Sequence, residues 1–361
     1  MTAETEYILI ILPVSEPVAS VDALRHKFPQ AKVVYHFAQA PASGAFDSDK
    51  IWTNVTILVT LFHVPSSIKD APRLRLVHLA SSGVNHLIGT AIYDNPSISI
   101  TSSSGCASPQ IAEWVMMTAL ITNWDYHYLH EKQQNRRWVR TSSGRDAHMV
   151  RNLVGQKLGI VGYGSIGRQV ARNAKAMGMV VLAYTATPKS TPESRRDSGY
   201  IVPGTGDPSG EIPSAWYHGG DKASLHEFLA QDLDMLVLCV PSTKETTGLL
   251  GKTELEILCS SGRKPLLANV SRGTAIEQDA LVEALRNGSL RGAALDVSDP
   301  EPLPSHDPLW DAHNVIIHPH ISAGGMTDVY LARVFDALSQ NISKLQGGER
   351  LLNQVNRKAG Y

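Results

Sequence analysis

Lys157-Leu-Gly-Ile-Val161 runs into Gly162-Tyr-Gly164-Ser165-Ile166-Gly167 and then into Arg168-Gln-Val-Ala-Arg-Asn-Ala-Lys-Ala-Met177. An apolar strand, a glycine turn and a good helix follow one another without a break, the context that makes this spacing meaningful. Each glycine has its own reason to be there. Gly162 permits the tight turn, Gly164 lets a pyrophosphate approach the backbone, and Gly167 allows the helix to pack closely on the strand. The helix start at Ser165 and Ile166 then offers amide N–H groups and a positive dipole end to phosphate. The stretch predicts a dinucleotide-binding fold. An ordinary strand–turn–helix and a methyltransferase-type loop are the competing readings.

The next strand tests which dinucleotide. Where such folds carry an acid for the adenosine ribose diol, 18 residues after Gly167, this chain has Thr185 within Tyr184-Thr-Ala-Thr-Pro-Lys189. No carboxylate stands there to repel a 2′-phosphate, and Thr185, Thr187 and Lys189 could bond to one, with Arg195 and Arg196 following. NADP is therefore expected to be preferred over NAD. The competing reading is a permissive pocket with basic residues in solvent.

Outward from this stretch, short apolar runs alternate with helix-length segments, the pattern of an α/β protein with parallel sheets. Strands are expected at 7–12, 32–37, 55–61, 74–79 and 98–101, with a helix at 17–28. A second series is expected at 157–161, 180–184, 235–240, 265–270, 292–295 and 315–317, with helices at 165–177, 253–260 and 278–287. Long amphipathic segments at 109–137 and 325–346 flank the second series and read as the connections between domains. Two doubly wound domains follow: a discontinuous one of 1–122 plus 325–361, and a cofactor domain of 123–324. The proline- and glycine-rich stretch 187–220 shows no periodicity and reads as a long loop or insertion.

Composition narrows the class. A chain of 361 residues is long enough for two domains. With 33 basic and 34 acidic residues the net charge is −1, which leaves no global field for nucleic acid or an anionic membrane. Cys106, Cys239 and Cys259 are an odd number without paired spacing, so neither a disulfide framework nor a cysteine zinc site is expected. The apolar stretch 7–13 is too short to span a membrane and has no basic leader. A cytoplasmic protein is the expectation.

Chemistry gathers in the second half. Asn269-Val-Ser-Arg272-Gly-Thr is followed by Leu295-Asp296-Val-Ser-Asp-Pro-Glu301-Pro-Leu-Pro and then by His318-Pro-His320-Ile-Ser322. His318 and His320, with His313 nearby, could suggest a metal, but no plausible ligand set completes it. In the order Arg, Glu, His after the glycine turn, the chain resembles the D-isomer-specific 2-hydroxyacid dehydrogenases, relatives of glyoxylate/hydroxypyruvate reductase. The resemblance runs from Leu76-Val-His-Leu-Ala-Ser-Ser-Gly-Val-Asn-His86 through Ala112-Glu113 to Pro308-Leu-Trp310 and Pro319-His320.

The resemblance implies a Rossmann cofactor domain, a flavodoxin-like substrate domain and an active site in the cleft between them. It implies that Arg272 holds the carboxylate of a 2-oxoacid, that His320 gives the proton, and that Glu301 pairs with His320. It implies that the backbone of Ser82, Gly83 and Val84 meets the substrate carboxylate. Val240, Pro241 and Thr243 would lie beneath the cofactor ribose, and Asp296 would meet the nicotinamide amide. A homodimer built by cofactor-domain contacts is also implied. The chain departs from the pattern in Thr122-Asn-Trp-Asp-Tyr, where an arginine is usual, in Ser322, where glycine is usual, and in the long 187–220 stretch. Two other readings share the fold. A corepressor-like, dinucleotide-sensing scaffold would bind peptides, and no disordered tail is expected beyond the last helix to serve it. A formate dehydrogenase would carry Gln in place of Glu301.

Overall fold

The computed structural model describes residues 6–39, 51–139, 150–312, 314–358 and 360. The chain divides into two compact units, the first formed by 1–107, 198–202 and 324–361, the second by 108–197 and 203–323.

The first unit opens with β1 (Tyr7–Leu12), α1 (Val18–Lys27), β2 (Lys32–Phe37), β3 (Ile57–Thr60), β4 (Leu76–Leu79), the single turn α2 (Ala91–Asp94) and β5 (Ser99–Ser102). Its five strands are all parallel in the order β2-β1-β3-β4-β5, the flavodoxin-like winding. Ile8 to Leu12 are fully buried, as expected of a strand covered on both faces.

The second unit begins with α3 (Ser108–Asn123) and α4 (Tyr126–Gln134). The 109–137 segment is therefore two helices, broken where Asp125 takes a positive φ of 49°. Then come β6 (Lys157–Val161), α5 (Ser165–Ala176), β7 (Val180–Thr185), α6 (Pro192–Arg195), β8 (Ala215–His218), α7 (Lys222–Leu229), β9 (Met235–Leu238), α8 (Lys252–Cys259), β10 (Leu266–Asn269), α9 (Gln278–Arg286), β11 (Gly292–Leu295) and β12 (Val315–Ile317). The chain then returns to the first unit in α10 (Asp328–Gln346). The seven strands of the second unit are all parallel in the order β12-β11-β10-β9-β6-β7-β8. Counted from β6, this is the dinucleotide-fold order, and it reverses at β6 beside β9, where such sheets bind ligands at their carboxyl ends. Leu182, Phe228, Leu236, Leu238, Leu267 and Leu281 belong to one core beneath it.

The 187–220 stretch corrects one expectation. It holds α6 and β8, and β8 pairs in parallel with β7 as the sheet's edge. Arg168 and Gln169 of α5 fasten it: Arg168 donates to the carbonyls of Asp207 (2.5 Å) and Arg195 (2.6 Å), and Gly206 N–H donates to Gln169 Oε1 at 2.6 Å. Asp207, itself buried, accepts from the N–H groups of Gly210, Glu211 and Ile212 and from the Tyr163 hydroxyl. Residues 198–202 belong to the first unit, where Tyr200 donates its hydroxyl to Asp336 at 2.9 Å and its N–H to Asn353 at 3.1 Å.

Candidate active site

The glycine turn has the geometry its sequence predicts. Gly162 has φ of +96°, and a Cβ there would lie 2.6 Å from the Cys239 carbonyl. A Cβ on Gly167 would lie 2.3 Å from the Gly162 carbonyl, so this position needs glycine for close packing. At Gly164 a Cβ would meet nothing within 4 Å. The space is open on the side where helix α5 begins at Ser165, and the N-cap position, Gly164, has no side chain of its own to bond the first amides. Residues present thus fit a pyrophosphate: a bare backbone approach at Gly164 and the Ser165, Ile166 and Gly167 amides at the helix N-terminus. Cys239 serves the packing, its thiol bonding to the Gly162 carbonyl at 2.9 Å. Burial pushes that thiol up to about 12, so it is inert as a nucleophile near neutrality.

At the end of β7 the Thr185 hydroxyl donates to the Thr187 carbonyl at 2.8 Å. Lys189 is half-buried nearby in the chain, and its carbonyl accepts from Arg195 Nε at 2.8 Å. The Arg195 guanidinium sits over the Trp216 ring, 5.8 Å from its centroid, while Arg196 is exposed. After β9, Val240 to Thr243 form a closed turn: the Thr246 hydroxyl donates to the Pro241 carbonyl at 2.7 Å and accepts from Thr243 N–H at 2.9 Å.

Three further loops leave the same carboxyl edge. After β10, Asn269 accepts from Ser271 N–H and Oγ–H and donates to the Arg272 carbonyl at 2.8 Å, fixing a short arch. Arg272 is half-buried, and its Nη1 donates to the Ser271 carbonyl at 2.7 Å. Gly273 brings this arch against the loop after β11, since a Cβ there would lie 2.0 Å from the Ser298 carbonyl group. In that second loop Glu301 Oε1 accepts from Ser298 N–H at 3.1 Å. In the third, after β12, His320 Nδ1 lies 3.1 Å from Glu301 Oε2. Facing a carboxylate, Nδ1 carries the proton and donates, which leaves Nε2 as the outward nitrogen. Both partners are open to solvent, at 48% and 40% exposure, so the pair is accessible. The structure brings His320 and Glu301 together, and it sets Arg272 on the neighbouring loop.

Asp296 is buried at the end of β11, and both its oxygens already hold bonds. Oδ1 accepts from His318 Nδ1 (2.7 Å) and Ser322 N–H (3.0 Å), and Oδ2 from the Ser322 hydroxyl (2.5 Å). In the first unit, Ser82 to Val84 follow β4 in a turn closed by the Ser81 hydroxyl on the Gly83 carbonyl at 2.8 Å, with Val84 buried beneath. His313 lies outside the described residues. Among those described, no group of three His, Cys, Asp or Glu gathers to hold a metal ion, and no helix is long and apolar enough to cross a membrane.

The family model described as D-isomer specific 2-hydroxyacid dehydrogenase, NAD binding domain, matches residues 116–202 and 207–322. The chain belongs to this dehydrogenase family. Among curated relatives, it is 32% identical over 207 residues to the glyoxylate reductase of Korarchaeum cryptofilum, covering 57% of this chain and 54% of that one, so the match spans about half of the relative. It is 27% identical over 318 residues to the glyoxylate reductase of Thermococcus gammatolerans, covering 84% of each. Among solved structures, a D-isomer specific 2-hydroxyacid dehydrogenase from Xanthobacter autotrophicus, in complex with NADPH and MES, superposes with a TM-score of 0.75 at 26% identity, covering 99% of this chain and 100% of that one.

For a 2-hydroxyacid dehydrogenase the glycine turn, the Thr185 strand end and the Glu301–His320 pair were all visible as residue types at fixed spacing. The supporting residues were not. Asn269 orients the arch through its side-chain amide and Gly273 by having no side chain, and the Asp296 bonds join positions 22 and 26 apart in sequence. The one signal was Ser322, a hydroxyl where the family pattern has glycine.

Proposed function

We propose that the protein reduces a 2-oxoacid to the D-2-hydroxyacid with NADPH in preference to NADH, on small substrates such as glyoxylate or hydroxypyruvate. The observation that carries this reading is the His320–Glu301 pair at 3.1 Å, on the sheet edge that also presents Arg272 and the open Gly164 turn. A bound nicotinamide supplies the hydride. Arg272 binds the substrate carboxylate through its planar fork, oriented by its bond to the Ser271 carbonyl. His320 donates its Nε2 proton to the forming alkoxide, while Glu301 fixes the ring's orientation through Nδ1. Ser82, Gly83 and Val84 contribute backbone to substrate binding. Ser165, Ile166 and the three glycines hold the pyrophosphate; Val240, Pro241 and Thr243 support the ribose. Asp296 meets the nicotinamide amide, its Oδ2 keeping acceptor capacity beyond the bond from Ser322.

The preference for NADPH rests on Thr185, with Lys189 and Arg195 as cations for a 2′-phosphate. A homodimer is part of the proposal, through the apolar side chains that α3, α4 and their junction leave exposed: Met117, Trp124, Tyr126 and Leu129. Sedimentation as a monomer at micromolar concentration would exclude the dimer. The test of the whole reading is a rate survey of glyoxylate, hydroxypyruvate, pyruvate and bulkier 2-oxoacids with both cofactors. NADPH gives the higher kcat/KM, and Thr185→Asp reverses the order by repelling the phosphate and accepting the free diol. A clear NADH preference in the wild type overturns the cofactor reading, and no turnover on any 2-oxoacid overturns the reaction.

A further inference from the structure

We infer that Asp296, His318 and Ser322 form a clamp whose purpose is to hold His320 in the backbone conformation from which it meets Glu301. The inference deepens the reaction proposed above, with His320 as its proton donor, and makes all three positioning residues.

His320 has φ of +56°, the left-handed region that side chains other than glycine seldom adopt. Such a residue persists only when its surroundings over-determine it. Here the two residues on either side are tied to a single buried carboxylate. His318, two before, gives its Nδ1 proton to Asp296 Oδ1 at 2.7 Å. Ser322, two after, gives its N–H to the same oxygen at 3.0 Å and its hydroxyl to Oδ2 at 2.5 Å. The His318 N–H continues the β11–β12 ladder to the Leu295 carbonyl at 2.8 Å, and the His320 N–H closes onto the His318 carbonyl at 2.9 Å. The Trp114 ring packs against the His318 ring at 5.4 Å between centroids, so the imidazole is held from a second side. Asp296 is 3% exposed and follows directly on the inner strand β11, so the anchor is rigid. Five residues thus form an arch with both feet on one carboxylate and His320 at its crown. Glycine in place of Ser322 would keep one foot through the backbone N–H and lose the other.

The test uses Ser322→Ala, Ser322→Thr and Asp296→Asn in the full chain. Two readouts are taken: steady-state kinetics, and the ring ¹⁵N signals of His320 in histidine-labelled protein, assigned with His320→Ala. Ser322→Ala is expected to lower kcat on the order of 10- to 100-fold, the scale of a small misplacement of a catalytic group, with KM for the 2-oxoacid little changed. Its His320 signals move from the Nδ1–H form toward a mixture of tautomers, the change that Glu301→Gln also produces. Ser322→Thr, which restores the hydroxyl, recovers both. Asp296→Asn shows the larger effect, and if it fails to fold, Ser322→Ala carries the test alone because its backbone bond to Asp296 remains. Unchanged His320 signals in Ser322→Ala overturn the clamp whatever the rates. Shifted signals in a protein that turns over no 2-oxoacid keep the clamp and overturn the proposed reaction instead.

Discussion

At His320 the chemistry comes down to one ring nitrogen. Glu301 holds Nδ1, so Nε2 is the atom that can give a proton and take it back. His320→Ala is expected to depress kcat by about 10²–10⁴, the usual contribution of general acid catalysis. Arg272→Ala should lower kcat and also raise KM, because it meets the carboxylate in ground state and transition state alike. Near-wild-type turnover in His320→Ala would end the assignment. Glu301→Gln makes a different signature. Gln keeps an acceptor near Nδ1 but removes the charge that accompanies proton transfer at Nε2, so kcat should fall by about tenfold or more with KM for the 2-oxoacid little changed. An unchanged kcat reduces Glu301 to a loop residue.

At the scale of elements, the turn between β6 and α5 separates two kinds of glycine. Gly167→Ala would force a Cβ to 2.3 Å from a backbone carbonyl, so it should lower Tm by several degrees. Gly164→Ala has open space and should leave Tm nearly unchanged while raising KM for the dinucleotide, because the methyl stands where the pyrophosphate approaches. Equal Tm losses in both would contradict the division of roles. This turn was legible in the sequence because its residues lie within six positions of each other and each type has one physical reason. The inner strands were legible for a similar reason, as continuous apolar runs buried on both faces. Strand β8 was not: it lies at the sheet's edge, half-exposed, behind a stretch rich in Pro and Gly. Helix α7 next to it is as hard to see. The break at Asp125 carries no sequence mark, since neither Gly nor Pro stands there. Arg272, Glu301 and His320 could be picked out together only as an ordered set, since each alone is an ordinary loop residue. The bonds that orient them come from partners that sequence spacing does not connect.

For the molecule as a whole, acid stability carries the mark of histidines in the first unit that burial lowers, His63, His86 and, furthest, His78. His78 in β4 is fully buried, its Nδ1 2.8 Å from the Thr101 hydroxyl. Burial drives it from 6.5 down to about 4, with a bond to the Val334 carbonyl pulling back only in part. Between those two values the unfolded chain takes up a proton that the folded protein refuses. Stability is therefore complete above pH 6.5 and falls as pH drops toward 4, by roughly 3 kcal/mol from this group. His78→Asn, whatever it does to Tm at neutral pH, should flatten the denaturation midpoint across that window by one proton's worth of slope. An unaltered slope would assign the acid sensitivity elsewhere.

The fastening of the 187–220 stretch bears on how far that stretch can change. Arg168, 4% exposed, stands directly after the glycine turn and finds its acceptors in that stretch: the carbonyls of Asp207 and Arg195 and the Asp197 carboxylate at 3.5 Å. Tyr163, between the first two glycines, gives its hydroxyl to Asp207 at 2.8 Å. The same stretch covers the guanidinium and supplies its acceptors, so an acceptor lost while the rest of the stretch stays in place would leave a buried charge short of partners, at a cost of about 3–5 kcal/mol. Loss of the whole stretch would instead open Arg168 to water. The side chain directly after the third glycine thus sets which rearrangements of the distant stretch the cofactor turn can tolerate.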